Sequence, residues 1–176
     1  HALKKWQPDV KITVLSNNPS ATEKTYGVQA INRWKMKEVR AVLKQADGLI
    51  SGGGSLMQDQ TGMKSIPYYA GIIKIAQWLK KPVFIYAQGM GPIHKGINKF
   101  IVKNAFNKAA AITVRDEASK ALLEEIGVTK SVSIVPDPVI GLESSNFDCE
   151  WLKTQTFNDT FITVSVRDWP SSVAFK

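Results

Sequence analysis

The chain has 176 residues, of which 44% are apolar and 22% charged, a composition that excludes a disordered or fibrous protein. Its 23 basic and 15 acidic residues give a net charge of +8, which favours anionic partners such as nucleic acid, a lipid headgroup surface or a phosphorylated metabolite. The single cysteine, Cys149, excludes an internal disulfide and fits a reducing compartment. The longest apolar runs are too short to cross a bilayer and no signal-peptide pattern occurs, so we predict a cytoplasmic protein.

Short apolar runs alternate with segments of helical period, which predicts an α/β fold: a Rossmann-like parallel sheet with helices on both faces. Residues 1–8 resemble the end of a helix. We predict strands at 10–16, 48–51, 82–87, 111–115, 131–135 and 161–166. We predict helices at 35–46, 65–80, 97–108 and 116–126. The apolar spacing predicts that the helix at 65–80 is buried nearly all round, Trp78 included, and that Ile97 and Phe100 face inward.

The polar stretch 143–150 predicts a domain boundary. We expect a Rossmann-like domain over 1–145 that lacks its first strand. Residues 146–176 are then a linker and the first strand of a second domain, so we expect the chain to be a fragment of a longer protein.

Glycine-bearing loops follow two of the predicted strands, one at 52–59 and one at 88–92. Parallel strands bring such loops to one sheet edge, where ligands bind and where glycine lets backbone N–H groups approach a phosphate or sugar. The spacing matches neither the dinucleotide fingerprint nor the P-loop. The candidate ligand-binding residues of these loops are Gly52, Gly53, Gly54, Ser55, Gln58, Gln88 and Gly89.

Arg115 ends a third predicted strand, and Asp116 opens the helix that follows. A guanidinium beside a helix N-terminus suits a carboxylate or phosphate. An ion pair of Arg115 with a neighbouring acid is an equal alternative from position alone. Asp137 lies between two prolines after the next strand, where it either presents its carboxylate to a sugar hydroxyl or belongs to a turn that crosses between domains. We find no metal-binding cluster and no nucleic-acid signature in the sequence.

Several of these segments together resemble the polysaccharide pyruvyl transferase family, above all its bacterial cell-wall type, CsaB. The segments occur in the family's order over nearly the whole chain. They are Gly52-Gly-Gly-Ser-Leu-Met-Gln-Asp59, Thr61-Gly62, Ser65, Pro67-Tyr-Tyr69, Tyr86-Ala-Gln-Gly-Met-Gly-Pro92, Ile112-Thr-Val-Arg-Asp-Glu117 with Ser119, and Asp137-Pro138.

The resemblance implies the N-terminal half of a two-domain fold like glycosyltransferase B. It also implies transfer of pyruvate from phosphoenolpyruvate to an N-acetylmannosamine of a lipid-linked cell-wall polysaccharide precursor, as a 4,6-ketal that S-layer proteins recognise. Arg115 would hold phosphoenolpyruvate, and Asp59 is the candidate base or sugar contact. No cofactor is implied, and contact with the inner face of the membrane and a homo-oligomer are possible partnerships.

The family's opening strand and most of its C-terminal half, with further phosphoenolpyruvate-binding His and Lys residues, have no counterpart in these 176 residues. We therefore expect the chain alone to give no turnover. Two alternatives stay open: a nucleotide-sugar glycosyltransferase of the same architecture, and a non-catalytic remnant that binds an anionic polymer.

Overall fold

A computed structural model describes residues 2–59, 65–142 and 154. The chain divides into two compact units, His1–Gly141 and Leu142–Lys176, and nearly all of the described residues belong to the first. The strands are β1 (Thr13–Ser16), β2 (Gln29–Asn32), β3 (Leu49–Gly52), β4 (Val83–Gln88), β5 (Ala111–Val114) and β6 (Val132–Ile134). The helices are α1 (Ala2–Trp6), α2 (Pro19–Tyr26), α3 (Met36–Gln45), α4 (Ser65–Trp78), α5 (Gly96–Phe106) and α6 (Glu117–Glu125).

The strands form two parallel sheets. β1 pairs with β2, and the second sheet has the order β3-β4-β5-β6. In that second sheet each strand is followed by a helix that leads to the next strand, which is the connection parallel strands require. The predicted α/β class, with Rossmann-like parallel sheets flanked by helices, is confirmed.

Burial alternates along β4, as the pleat of a strand requires. Val83 and Ile85 are buried in the core with Ile73 of α4 and Phe106 of α5. On the opposite face, within the described part of the chain, Phe84 and Tyr86 are exposed. A helix over that second face stays a prediction.

The five predicted strands before residue 143 and all four predicted helices are present, with ends that differ by up to three residues. The termini of α6 follow the local signals. The Asp116 carboxylate accepts a hydrogen bond from the Ser119 amide at 2.7 Å, and Gly127 has the left-handed φ of 86° that favours glycine after a helix.

Helix α2 and strand β2 were not predicted from the sequence. Helix α2 buries no residue, so it has no apolar stripe to detect. Its ends do carry signals: Asn18 accepts from the Ala21 amide at 3.2 Å, Pro19 is the first helical residue, and Gly27 has a φ of 60°.

The prediction that Trp78, Ile97 and Phe100 face inward was wrong. Their side chains are respectively 78%, 63% and 62% exposed. On α5 the buried stripe is rotated because the polar Asn98 lies inside, where its amide donates a hydrogen bond to Asp59. An apolar pattern cannot reveal a face that is fixed by a polar contact.

Some predictions fall outside the described residues, namely the strand at 161–166 and the linker at 143–150. The boundary at 145/146 stays a prediction. Among the described residues no helix is long and apolar enough to span a bilayer. In the same ranges no group of three His, Cys, Asp or Glu side chains is placed to hold a metal ion.

Candidate active site

The two glycine-bearing loops lie side by side at the carboxyl ends of β3 and β4. Four backbone hydrogen bonds of 3.0–3.3 Å connect the segments. They run from the amides of Gly53, Gly89, Gly91 and Asp59 to the carbonyls of Tyr86, Gly54, Met57 and Pro92, respectively. The loops therefore continue the parallel pairing of the sheet beyond its strands. We call these two paired segments the floor of the site.

Each of the three glycines in the first loop occupies a position that disfavours a side chain, for a reason of its own. A Cβ on Gly52 would lie 2.8 Å from the Tyr86 carbonyl oxygen, so a side chain is excluded by contact. Gly53 and Gly54 have φ values of 76° and 64°, which L side chains rarely adopt. Within the described ranges no residue accepts a hydrogen bond from the amides of Gly54 and Ser55.

The end of β4 is distorted. The β4–β5 register shifts between Ile85 and Gln88, and Ala87 has a φ of 46°. The Ala87 amide donates instead to the hydroxyl of Thr113 on β5, at 2.8 Å. A left-handed alanine costs on the order of 1 kcal/mol, and such strain is found at functional sites. Nothing in the sequence signalled this role of Thr113.

Arg115 brings the three loops at this edge together. Its Nη2 donates to the Ser55 hydroxyl at 3.0 Å and its Nη1 to the Asp137 carboxylate at 3.4 Å. Its Nε lies 3.6 Å from the Asp116 carboxylate. The residues predicted at three separate loops thus meet around one guanidinium.

The two ion pairs of Arg115 are long for charge-assisted hydrogen bonds, which are usually ~2.7–2.9 Å. About a third of the Arg115 side chain remains exposed. The guanidinium is therefore held in place but not saturated, and an incoming carboxylate or phosphate has room to bind it.

The main role of Asp116 is to cap the N-terminus of α6. Its pKa is lowered first by the Ser119 side chain and then, against the opposing effect of burial, by the Ser119 amide and the charge of Arg115. The Ser119 hydroxyl in turn accepts a hydrogen bond from the Met90 amide at 2.8 Å. Ser119 therefore connects the start of α6 to the second loop.

Gly89 lies against the guanidinium of Arg115. A Cβ built on it would come within 2.5 Å of Nε and 2.6 Å of Cζ of Arg115. The absence of a side chain at this position therefore creates the space in which the guanidinium of Arg115 lies.

The predicted glutamines line the two loops differently. Gln88 is fully buried, with its Nε2 3.3 Å from the Ser51 hydroxyl and its Oε1 without a partner among the described residues. Gln58 packs against Gly91, where any Cβ would collide with its side chain. In this arrangement Gln88 supports the floor rather than lining its surface.

Asp59 fixes the end of the first loop to the start of α5. One carboxylate oxygen accepts from the amides of His94 and Lys95 at 2.7 and 3.0 Å, and the other accepts from the Asn98 side chain. Burial alone would raise its pKa, but the hydrogen bonds from Lys95, Asn98 and His94 outweigh burial and lower it. This carboxylate is stabilised in its charged form, and its predicted role as a base stays a prediction.

Asp137 stands at the far side of Arg115. Its second oxygen accepts from the Val139 amide at 3.1 Å, which closes the turn after β6. Its side chain is 40% exposed. Asp137 therefore stabilises the turn after β6 and keeps a partly exposed carboxylate, and its contact with a sugar hydroxyl stays a prediction.

A comparison with models of protein families tests the resemblance that these motifs indicated. A family model described as polysaccharide pyruvyl transferase matches residues 1–173. The chain belongs to the polysaccharide pyruvyl transferase family. No curated protein and no solved structure gives a significant match.

Membership makes this chain part of a family of transferases that act on polysaccharides. The family match covers the whole segment in which Arg115, the two loops and Asp137 occur. Arg115, the two loops and Asp137 are therefore the candidate active site of this chain.

Proposed function

We propose that the protein transfers pyruvate from phosphoenolpyruvate to an N-acetylmannosamine of a lipid-linked cell-wall polysaccharide precursor, as a 4,6-ketal. The product would give the polymer the negative charge by which S-layer proteins are anchored. The observation that carries the proposal is the partly exposed guanidinium of Arg115 beside the amides of Gly54 and Ser55, which donate to no residue in the described ranges. Phosphoenolpyruvate offers a carboxylate and a phosphate to these donors.

The reaction has to form two C–O bonds at C2 of phosphoenolpyruvate. The 4- and 6-hydroxyls add to C2, the C2–C3 double bond is lost, and C3 takes up one proton to become a methyl group. The bond from C2 to the phosphate oxygen breaks, and phosphate leaves with the second hydroxyl proton. The acid and base of these transfers must lie within hydrogen-bond reach of the reacting atoms.

Different residues at the sheet edge would have different roles in this reaction. Arg115, with the amides of Gly54 and Ser55, would bind and orient the phosphoenolpyruvate. Asp137, exposed on the other side of the guanidinium, would accept a hydrogen bond from a sugar hydroxyl. Asp59 is the predicted base, although its three donors make it a weak one and favour a role in holding the loop.

The test is phosphate release from phosphoenolpyruvate by the full-length protein with a synthetic N-acetylmannosamine disaccharide as acceptor. Arg115→Ala should weaken phosphoenolpyruvate binding roughly 10- to 150-fold, because it removes a hydrogen-bond partner of a charged ligand worth ~1.5–3 kcal/mol. Arg40→Ala, which removes an exposed arginine of α3, is the matched control. Release of nucleotide from a sugar nucleotide, without phosphate release, would make the protein a glycosyltransferase instead.

A second part of the proposal concerns the membrane that would carry the lipid-linked acceptor. Helices α4 and α5 border an apolar groove that includes the exposed Trp78 and Phe100 and the amine of Lys74. Burial lowers the pKa of Lys74, and the neighbouring Lys108 lowers it further. A negatively charged lipid surface would relieve this repulsion, and the net charge of +8 would attract it.

Vesicle sedimentation tests this surface. The protein should bind vesicles of phosphatidylglycerol and phosphatidylcholine and not vesicles of phosphatidylcholine alone. Trp78→Ala with Phe100→Ala should abolish binding, whereas Trp34→Ala, which removes an exposed tryptophan elsewhere, should not. Equal binding of the double variant and the unchanged protein would contradict the membrane contact.

A further inference from the structure

A second cluster of chemistry-bearing side chains lies apart from Arg115. It consists of Arg33, Trp34, Tyr68 and Tyr69, which we call the aromatic platform. The Arg33 guanidinium lies 4.4 Å from the Tyr68 ring centre, 5.0 Å from that of Trp34 and 5.1 Å from that of Tyr69. The Trp34 and Tyr68 rings are themselves 4.8 Å apart, at an angle of 49°.

The platform is built from three different elements. Arg33 and Trp34 directly follow β2, and the Trp34 indole N–H donates to Asn17, just after β1, at 3.0 Å. The Tyr68 hydroxyl, from the first turn of α4, donates to the Arg33 carbonyl at 2.8 Å. Contacts from three directions fix the tryptophan and the arginine in one orientation.

The same turn of α4 connects the platform to the first glycine loop. The Ser65 hydroxyl, at the start of α4, donates to the Leu56 carbonyl in that loop at 3.1 Å. The platform thus stands at the carboxyl ends of β1 and β2, and the loops stand at the carboxyl ends of β3 and β4, with the start of α4 between them. The platform follows the two-stranded sheet and the loops follow the four-stranded sheet, and in each case they lie at the carboxyl ends of parallel strands, where ligands bind.

The guanidinium of Arg33 is not fully satisfied by the described residues. Among residues 2–59 and 65–142 no carboxylate forms an ion pair with Arg33, and its Nε is buried without a hydrogen-bond partner. The next basic residue, Lys35, does have a partner in Glu38, at 2.9 Å. Burial lowers the pKa of Arg33, but interactions with the Tyr69 and Tyr68 side chains outweigh burial and raise it. The two tyrosines therefore stabilise the cation, which has no carboxylate partner among the described residues.

The outer part of the platform is open. The Trp34 side chain is 62% exposed, although its indole N–H is bonded and its ring packs on Tyr68. A tryptophan that served only the core would turn its ring inward, since burial of that area is what stabilises a fold. A fixed and exposed indole beside a guanidinium offers a ligand an apolar face and hydrogen-bond donors together.

We propose that the aromatic platform binds the acceptor saccharide. A pyranose ring would place its C–H face on the indole of Trp34, and Arg33 would donate hydrogen bonds to the ring hydroxyls. This inference rests on the proposed function, because it assigns an acceptor site next to the loop that would bind the donor together with Arg115. The start of α4 would set the distance between the two substrates.

The test uses the full-length protein and the N-acetylmannosamine disaccharide, with phosphoenolpyruvate as donor. Trp34→Ala should raise the KM for the disaccharide at least about tenfold and leave the KM for phosphoenolpyruvate within twofold. Trp6→Ala, which removes an exposed tryptophan of α1, should change neither value. Trp34→Phe keeps an aromatic face and should restore most of the affinity.

Direct binding of the disaccharide, measured by calorimetry, separates this inference from the proposed function. Trp34-dependent binding without phosphate release from phosphoenolpyruvate would support the platform and overturn pyruvyl transfer. Phosphate release with an unchanged disaccharide KM in Trp34→Ala would support pyruvyl transfer and overturn the platform. Equal disaccharide binding by folded Trp34→Ala and the unchanged protein would likewise overturn the platform.

Discussion

The substitution Gly89→Ala should weaken phosphoenolpyruvate binding by displacing the guanidinium of Arg115. The three atoms nearest to the added Cβ all belong to the guanidinium of Arg115, at 2.5–2.6 Å. The φ of Gly89 lies outside the left-handed region, so alanine itself is tolerated by the backbone. The conflict has to be relieved by the end of a flexible side chain, which means that Arg115 moves and the fold does not.

The size of the effect follows from these distances. Ordinary van der Waals contact begins at 3.4 Å, so the guanidinium has to retreat by about 0.8 Å. A shift of that size exceeds what the 3.0 Å bond to the Ser55 hydroxyl tolerates. Displacing a charged donor from its ligand costs ~1.5–3 kcal/mol, so we expect a roughly 10- to 150-fold weaker Kd for phosphoenolpyruvate.

Calorimetric titration with phosphoenolpyruvate measures the Kd, and thermal unfolding checks the fold. Gly71→Ala is the matched control, because a Cβ on Gly71 meets nothing within 4 Å. As a helical glycine of α4 it should instead gain ~0.5–1 kcal/mol of stability and leave the Kd unchanged.

A double-mutant cycle with Arg115→Ala tests whether Gly89→Ala acts through the guanidinium. If Gly89 acts only through the guanidinium, adding Gly89→Ala to Arg115→Ala should cause no further loss of affinity. A Kd for Gly89→Ala within twofold of the unchanged protein, or additive losses in the double variant, would refute the mechanism.

Three further outcomes concern stability. Asp59→Asn should lower the free energy of unfolding by ~1–3 kcal/mol in a denaturant titration, because an amide nitrogen replaces an acceptor that serves Asp59's three donors. Phe106→Ala should cost ~3–5 kcal/mol by the same measurement, since the ring is fully buried. The pKa values of Asp59 and Asp116 are lowered in the folded state, so their contribution is present above pH ~4 and is lost as the pH falls below that value. Asp116→Ala should reduce that acid-dependent loss, and an unchanged slope between pH 4 and 2 would contradict its role.

The sequence predicted the four-stranded sheet because apolar strands and amphipathic helices there follow clear periods. It failed at α2 and β2, which are short and bury only Ala30 between them. That omission had a consequence for function. Since β2 was not predicted, Arg33 and Trp34 were not placed at the end of a strand, and the aromatic platform went unnoticed.

Part of the candidate site was also predictable from local patterns in the sequence. Glycines and charged residues directly after strands mark a ligand edge, and the structure brings Arg115, Ser55 and Asp137 together there. The distance between groups is set by tertiary contacts that no local pattern encodes. The hydroxyl of Thr113 that receives the Ala87 amide is one example, and the burial of Gln88 is another.

The paired loops have a consequence for how the family could vary. Their shape is held by main-chain hydrogen bonds, which any residue but proline can donate. Only positions such as Gly52, Gly53 and Gly89, where space or φ forbids a side chain, are bound to one residue type. The side chains between them are free to diverge, so substitutions on the loops can change the ligand-facing surface while the main-chain pairing of the two loops is kept.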